Sequence, residues 1–407
     1  KPSGCVQVFD NALGGFEGVR AVDVITAKVQ IFSFIFHHKT TTDLEGCWMI
    51  NHKYHGKINI WVKFESSFCD IKVMEGKADL WGYSFPRRSN MGKFFGPNFN
   101  NIAIKFAFPP AFGKKPYFDW VAATTNNSVH QFGLYCGGQN LPQPRGNLKS
   151  LITPWQDDSG ATIMLDKIGF IPTILLLNAE HVIFGVFGAW SPALIIPAAL
   201  TAWVTVCAPD IVINETRVLN SDQLKETEFH ELAHSIHFDK VGNGYWIDNI
   251  QFVANNVLNG NNAPYGTVTT PGSGRCAVIE AWAEHNGMQA CHERYGLNHT
   301  NSTQNKQVFT FQAIMERRLF FPAFDPLAYI PFAWQADLVD DNSQNPPGTT
   351  ENTAVTDRVK GYTRAQIFST MTSSMLSPAQ QKTSLSTILP PGVSVSDMNT
   401  LATPYGF

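Results

Sequence analysis

The eleven residues Glu228-Phe229-His230-Glu231-Leu232-Ala233-His234-Ser235-Ile236-His237-Phe238 carry two superimposed patterns. Phe229, Leu232, Ala233 and Ile236 recur at the spacing of a helix that buries one stripe. His230, His234 and His237 fall on a different face. Side chains four apart on a helix lie one turn above each other, so the imidazoles of His230 and His234 can converge on one point. Glu231 sits at the flank of that face, placed to touch a water without being a ligand itself. Just upstream, Asn220-Ser221-Asp222-Gln223 has the spacing of a helix N-cap with its capping partner. A helix with a purely structural role has little reason to line up imidazoles this way. The pattern predicts two ligands of a catalytic zinc centre, Zn²⁺ being the cofactor expected.

The composition is compatible with such an enzyme and narrows its partners. Hydrophobic residues make up 44% and charged residues 15% of the 407 positions, which excludes a disordered chain. That length accommodates two or three domains with sizeable cores. A net charge of −3 with no long basic run argues against nucleic acid or an anionic membrane surface as partner. The seven cysteines are scattered without a C-x-x-C pair, so they form no zinc-finger pattern and do not imply a disulfide framework, and any pairing among them stays open. Abundant aromatics with Gly- and Asn-rich loops point to an extracytoplasmic location: periplasmic, secreted or cell-surface. The first residue, Lys1, leads us to expect a removed signal segment, and a lipid anchor is compatible with it.

Residues 1–107 read as β-structure. Val6–Phe9, Val22–Phe36, Trp48–Ile50, Lys57–Phe64, Phe68–Val73 and Asn101–Phe108 are β-branched or aromatic runs separated by Gly, Asn, Asp and Pro. Within the fourth run, Ile58–Phe64 alternates strictly, as a half-buried strand should. Beyond residue 108 the texture becomes helical, with candidate helices over Trp120–Tyr135 and Ser159–Ile168. The stretch 182–208 has no charged residue and is long enough to span a membrane. Pro192, Pro197 and its glycines interrupt it and no basic cluster flanks it, so a buried segment is expected there and not a span. Asp210–Ile213 reads as a strand. Val308–Phe320, Arg364–Ser374 and Ala379–Ile388 have helical spacing in a C-terminal part, 305–407. Asp337, Asp340 and Asp341 form an acidic cluster in that part, expected in a solvated loop, with a calcium ion or a substrate amino group as other occupants.

A catalytic zinc site needs a third protein ligand. Downstream, Glu280 and Glu284 are again four apart on a helical pattern, in Val278-Ile279-Glu280-Ala281-Trp282-Ala283-Glu284-His285. Position 237 holds His and 240 holds Lys, where a metzincin would have Gly and His, and Asp239 is one residue out of register for an aspzincin. His237 itself would stretch three imidazoles over two turns, and is expected beside the ion, facing substrate, or at the surface. The two helices together resemble the H-E-x-x-H and E-x-x-x-[DE] pair of the gluzincins, the thermolysin-like zinc peptidases. That resemblance spans roughly residues 220–290. It implies that Glu280 is the third ligand and that Glu284 accepts a hydrogen bond from a ligand histidine, with the exchanged assignment still open. Ile279 stands where the family commonly has Asn, and the interval from His234 to Glu280 is long. Separately, Thr42-Asp43-Leu44-Glu45-Gly46-Cys47-Trp48 resembles the T-D-x-x-G-x-[FWY] turn of carboxypeptidase regulatory-like (transthyretin-like) β-sandwiches.

Together these resemblances imply a multidomain α+β protein. A β-sandwich over 1–107 is followed by a mainly α, zincin-like metallopeptidase domain over 108–304 and a helical C-terminal subdomain over 305–407. The implied function is hydrolysis of peptide bonds in a peptide or protein substrate by metal-activated water, with His230, His234 and Glu280 holding zinc and Glu231 as general base. Such sites also need a donor for the developing oxyanion. Tyr245, Tyr265, His285, His292, Tyr295 and Tyr362 are the candidates, and endo- against exopeptidase action stays undecided. Two other readings remain: an intramembrane zinc protease using 182–208, and a catalytically inert, peptidase-like surface binding protein.

Overall fold

The computed structural model describes residues 1–28, 37–75, 79–96, 99–109, 111–153, 209–214, 220–258, 265–296, 329–339 and 358–407. The expected helices at 159–168 and 308–320, the apolar stretch 182–208, and Asp340 and Asp341 lie outside these residues. The fold is mixed α+β. Among the described residues no helix is long and apolar enough to cross a membrane.

The chain opens with β1 (Ser3–Asp10) and β2 (Gly15–Gly18), then β3 (Asp23–Lys28), β4 (His37–Thr41), β5 (Cys47–Met49), β6 (Lys57–Lys63) and β7 (Cys69–Val73). A short helix α1 (Leu80–Ser84) precedes β8 (Arg88–Phe95) and β9 (Ile102–Phe106). Strand β1 pairs antiparallel with β2 and with β5 along one edge and parallel with β9 along the other. A second, antiparallel sheet runs β4-β3-β6-β8. In β6 the predicted alternation is realised: Ile58, Ile60 and Val62 are buried while Asn59, Trp61 and Lys63 are less so. A third sheet, all parallel, joins β7 to β10 (Leu148–Thr153) and β11 (Ile211–Asn214).

The turn before β5 shows why its residues recur as a motif. The Thr42 hydroxyl donates to the Val19 carbonyl at 2.7 Å and accepts from the Val22 amide at 3.0 Å. Asp43 Oδ1 accepts from the amides of Glu45 and Cys47 at 3.0 and 2.7 Å, closing the turn on itself. Gly46 has φ +75° and packs so tightly that a Cβ would lie 2.4 Å from the Val6 carbonyl oxygen. The pairing that the sequence left open is seen here: Cys5 and Cys47, opposite each other on β1 and β5, form a disulfide. The register of two adjacent strands brought them together, which scattered spacing cannot show.

Helix α2 (Lys115–Gly138) follows β9, and α3 (Ser221–Val241), α4 (Asn243–Leu258) and α5 (Ser273–Tyr295) follow β11. The chain continues with α6 (Trp334–Val339), α7 (Arg364–Thr370), α8 (Pro378–Leu385) and α9 (Val395–Ala402). The described residues divide into two compact units, one of 1–131, 146–153 and 209–228, the other of 132–145 and 229–407. The first contains all three sheets. There α2 buries Trp120, Val121, Ala122 and Ala123, and its buried Asn126 and Asn127 donate to the carbonyls of Arg20 and Gly18, each at 2.8 Å. The second unit is helical. In it Asp337 is buried on α6 and accepts a hydrogen bond from Tyr405, so this carboxylate belongs to a packed helix and not to the expected solvated loop.

Candidate metal centre

Helix α3 begins as its sequence implies, with Gln223 Oε1 accepting from the Asn220 amide at 3.2 Å. Its stripe of Phe229, Leu232, Ala233 and Ile236 is buried to within 1%. Across from it stands α5, and three contacts set the register between the two helices. The Trp282 indole donates to the Ala233 carbonyl at 3.1 Å. Glu280 meets the imidazoles of His230 and His234, while Glu284 meets only His230. Advancing along α5 therefore means retreating along α3, so the pair is antiparallel. A spacing of four on each helix is then matched turn for turn.

The polar atoms converge closely. His230 Nε2 and His234 Nε2 are 3.1 Å apart, and Glu280 Oε2 lies 3.4 Å from the first and 3.6 Å from the second. Ligands at zinc bond lengths of ~2.0–2.1 Å in tetrahedral array are separated by about 3.3 Å. The observed triangle matches that spacing on all three edges. His230 Nδ1 lies 3.2 Å from Glu284 Oε2, which holds the proton on Nδ1 and turns the Nε2 lone pair toward the triangle. His234 Nδ1 has no hydrogen-bond partner among the described residues, and the edge of the Trp246 ring, 5.5 Å away, braces that imidazole instead. Glu231 is buried and offers a carboxylate oxygen within 4.8 Å of both imidazoles.

The carboxylates favour positive charge at this cluster. Burial alone would lower the pKa of His230, but hydrogen bonds donated by its ring to Glu280 and Glu284 and the charge of Glu231 reverse this and raise it well above the usual histidine value. Burial likewise disfavours a charged Glu280, yet the two histidines hold its carboxyl below the ordinary range. Two nitrogens and a carboxylate oxygen with this spacing, one carboxylate beside them and a second orienting a ring, suit a zinc ion in ligand type and number.

Neighbouring positions sort themselves out. Asp239 pairs with Arg145 at 2.5 Å, and Lys240 lies over the Phe368 ring, so neither approaches the triangle. His237 is fully buried, edge-on to the rings of Tyr245 and Trp246, at 5.5 and 5.8 Å. Burial, with the charge of His234 behind it, pushes its pKa down to about 3. The expectation of a surface or substrate-facing His237 is thus corrected: the ring is a neutral core residue.

Among the oxyanion candidates, the hydroxyls of Tyr245 and Tyr362 are committed to the carbonyls of Met375 and Leu385, at 2.7 and 2.8 Å. His292 and Tyr295 lie on α5 roughly 18 and 22 Å along the axis from Glu280. His285 is fully buried, and burial together with Arg364 drives its pKa well down. Tyr265 differs. The charge of Glu280 is the largest influence on its hydroxyl, followed by burial, Cys276 and Glu231, all holding the proton on. The Tyr329 hydroxyl donates to the Tyr265 carbonyl, and the following Gly266, at φ +76°, packs so closely on Thr270 and Phe252 that a side chain there would collide. Tyr329 was not among the sequence candidates. Nothing in its local pattern marks it, because it acts on Tyr265 from a distant segment.

Comparison of the chain with protein-family models, curated proteins and solved structures finds no match.

Proposed function

We propose that the chain is a zinc-dependent peptidase of gluzincin type, holding Zn²⁺ through His230, His234 and Glu280. The triangle of Nε2, Nε2 and Oε2 atoms with edges of 3.1, 3.4 and 3.6 Å is the observation that carries this reading. Bound there, the ion supplies Lewis acidity, acidifying water and polarising a substrate carbonyl. Glu231 then takes the proton of the attacking water and returns it to the leaving amine. Glu284 keeps His230 in the tautomer whose Nε2 is free to bind. Tyr265, its hydroxyl kept protonated beside Glu280 and Glu231, donates to the oxyanion as the carbonyl becomes tetrahedral. The sheets of the first unit are read as a transthyretin-like sandwich on the strength of the Thr42–Trp48 turn. The Cys5–Cys47 disulfide favours an extracytoplasmic location.

Metal analysis with a peptide-library assay tests this. Wild type should carry one zinc per chain and cleave. Glu231→Gln should retain the zinc while its rate falls about 10²–10⁴-fold, and Tyr265→Phe should retain zinc and lose about 10²-fold. Stoichiometric zinc with no cleavage of any library peptide would favour the inert, peptidase-like binding protein instead. A chain that binds no zinc would refute the zinc peptidase and would likewise favour the inert reading.

A further inference from the structure

In the first unit a lysine is closed in between two carboxylates. The side chain of Lys225 is 0% exposed, and its Nζ lies 3.1 Å from Asp10 Oδ2 and 2.7 Å from Glu17 Oε1. Asp10 ends β1 and Glu17 lies in β2. In their antiparallel register Val8 faces Glu17 and Asp10 faces Gly15, so Asp10 and Glu17 are diagonal neighbours on one sheet face. That face is buried at Val8 and Asp10. The three groups differ in ways that bear on their chemistry. The Asp10 side chain is 2% exposed, and its second oxygen, Oδ1, accepts from the Leu13 amide at 3.2 Å. Glu17 is 19% exposed and is held by Gln131, whose Nε2 donates to Oε2 at 3.0 Å. A buried amine thus touches one dry carboxyl and one carboxyl with an outlet to water.

We propose that Lys225 and Asp10 condense into an intramolecular isopeptide bond, with Glu17 carrying the proton. The pieces are positioned as amide formation needs them. Hydrogen-bond contact between Nζ and Oδ2 sets the amine against the Asp10 carboxyl at the range of a near-attack arrangement, about 3–3.5 Å. The Lys225 ammonium gives a proton to Glu17 Oε1, and its nitrogen then attacks Asp10 Cγ. The Leu13 amide supports the negative charge that develops on Oδ1. Glu17 returns its proton to Oδ2 and then passes on the second proton of the nitrogen, so the Cγ–Oδ2 bond breaks with water as the leaving group. One ammonium and one carboxylate become one amide and one water, Glu17 ends as it began, and no oxidant or cofactor takes part. The low exposure of Asp10 and Lys225 keeps water from reversing the step, and the partly open Glu17 side lets the product water leave. The product also removes a buried charge pair, which is costly to hold in a dry interior.

Intact-mass measurement of the purified, disulfide-reduced full-length chain tests the proposal without any substitution. The expected result is a mass lower than the sequence mass by one water, about 18 Da. Trypsin should then fail to cleave after Lys225, and tandem mass spectrometry should place the link between the peptides bearing Asp10 and Lys225. The full sequence mass, or a loss localised to any other pair, would overturn the proposal. Glu17→Gln, folded by circular dichroism, should keep the full mass. If it loses water as completely as wild type, the assigned role of Glu17 fails.

Discussion

Helix α3 carries two buried polar clusters of opposite character. In its first turns Lys225 meets Asp10 and Glu17, so a cation is already present among its anions. Two turns on, His230 and His234 turn ring nitrogens toward each other and toward Glu280, where the proposed zinc would be the cation. Buried polar atoms must be satisfied in either case. The first cluster achieves this within the chain, as an ion pair before the proposed condensation and as an amide after it. In the second, the zinc ion proposed above would complete the balance. The comparison teaches that burial alone does not distinguish a cluster complete in itself from one that takes a ligand. The distinction lies in whether the charges balance without an added ligand.

The strongest way to break the comparison is to remove the internal cation. Lys225→Met removes both the counter-charge of Asp10 and its partner in the proposed amide, leaving a carboxylate in a dry site, and should destabilise the protein by roughly 3–5 kcal/mol in denaturant unfolding. A loss below 1 kcal/mol would mean that the first cluster is not closed in the sense argued. Next in size is the response to added metal. Zinc at one hundred times its dissociation constant should stabilise wild type by about 2.7 kcal/mol. His234→Ala should gain nothing from the same addition, in a thermal shift assay run with and without chelator.

His237 sharpens the contrast, being a third buried group on the same helix that carries neither counter-charge nor ligand. Its folded-state pKa, about 3, lies below the unfolded value near 6.5. Between those values the unfolded chain binds the extra proton, so stability is full above about pH 6.5 and falls as pH drops toward 3. From pH 7 to 5 the loss attributable to His237 should be about 2 kcal/mol. Urea titrations at both pH values should show that His237→Gln has a smaller acid loss than wild type. The smallest effect belongs to Glu284→Gln, which keeps a hydrogen-bond acceptor for His230 but removes its charge. Zinc affinity, measured by competition with a chromophoric chelator, should fall about 10-fold, at the low end for groups that orient a metal ligand. An unchanged affinity would detach Glu284 from the site.

Much of this was legible locally. The spacing of Phe229, Leu232, Ala233 and Ile236 against His230 and His234 sets helix, buried stripe and converging imidazoles together, because 3.6-residue periodicity is a property of consecutive residues. The alternation of β6 and the Thr42–Gly46 turn are local in the same sense. Glu280 and Glu284 could be proposed from their own spacing. Their approach to His230 and His234, however, depends on the Trp282–Ala233 contact, which sets how far one helix slides along the other.

Other features had no local signature. His237 shares a helix face with two histidines yet is sealed by Tyr245 and Trp246. Tyr265 stands out from other tyrosines only through its surroundings, Glu280, Glu231 and the hydrogen bond from Tyr329. Lys225 reads as an ordinary charged helix position until β1 and β2 place Asp10 and Glu17 against it. By itself, then, the sequence determined which side chains share a face, since that follows from backbone geometry repeated every few residues. Only the tertiary structure decided which faces meet, and so which charges are balanced from within and which await a ligand, because burial and pairing are set by residues distant along the chain.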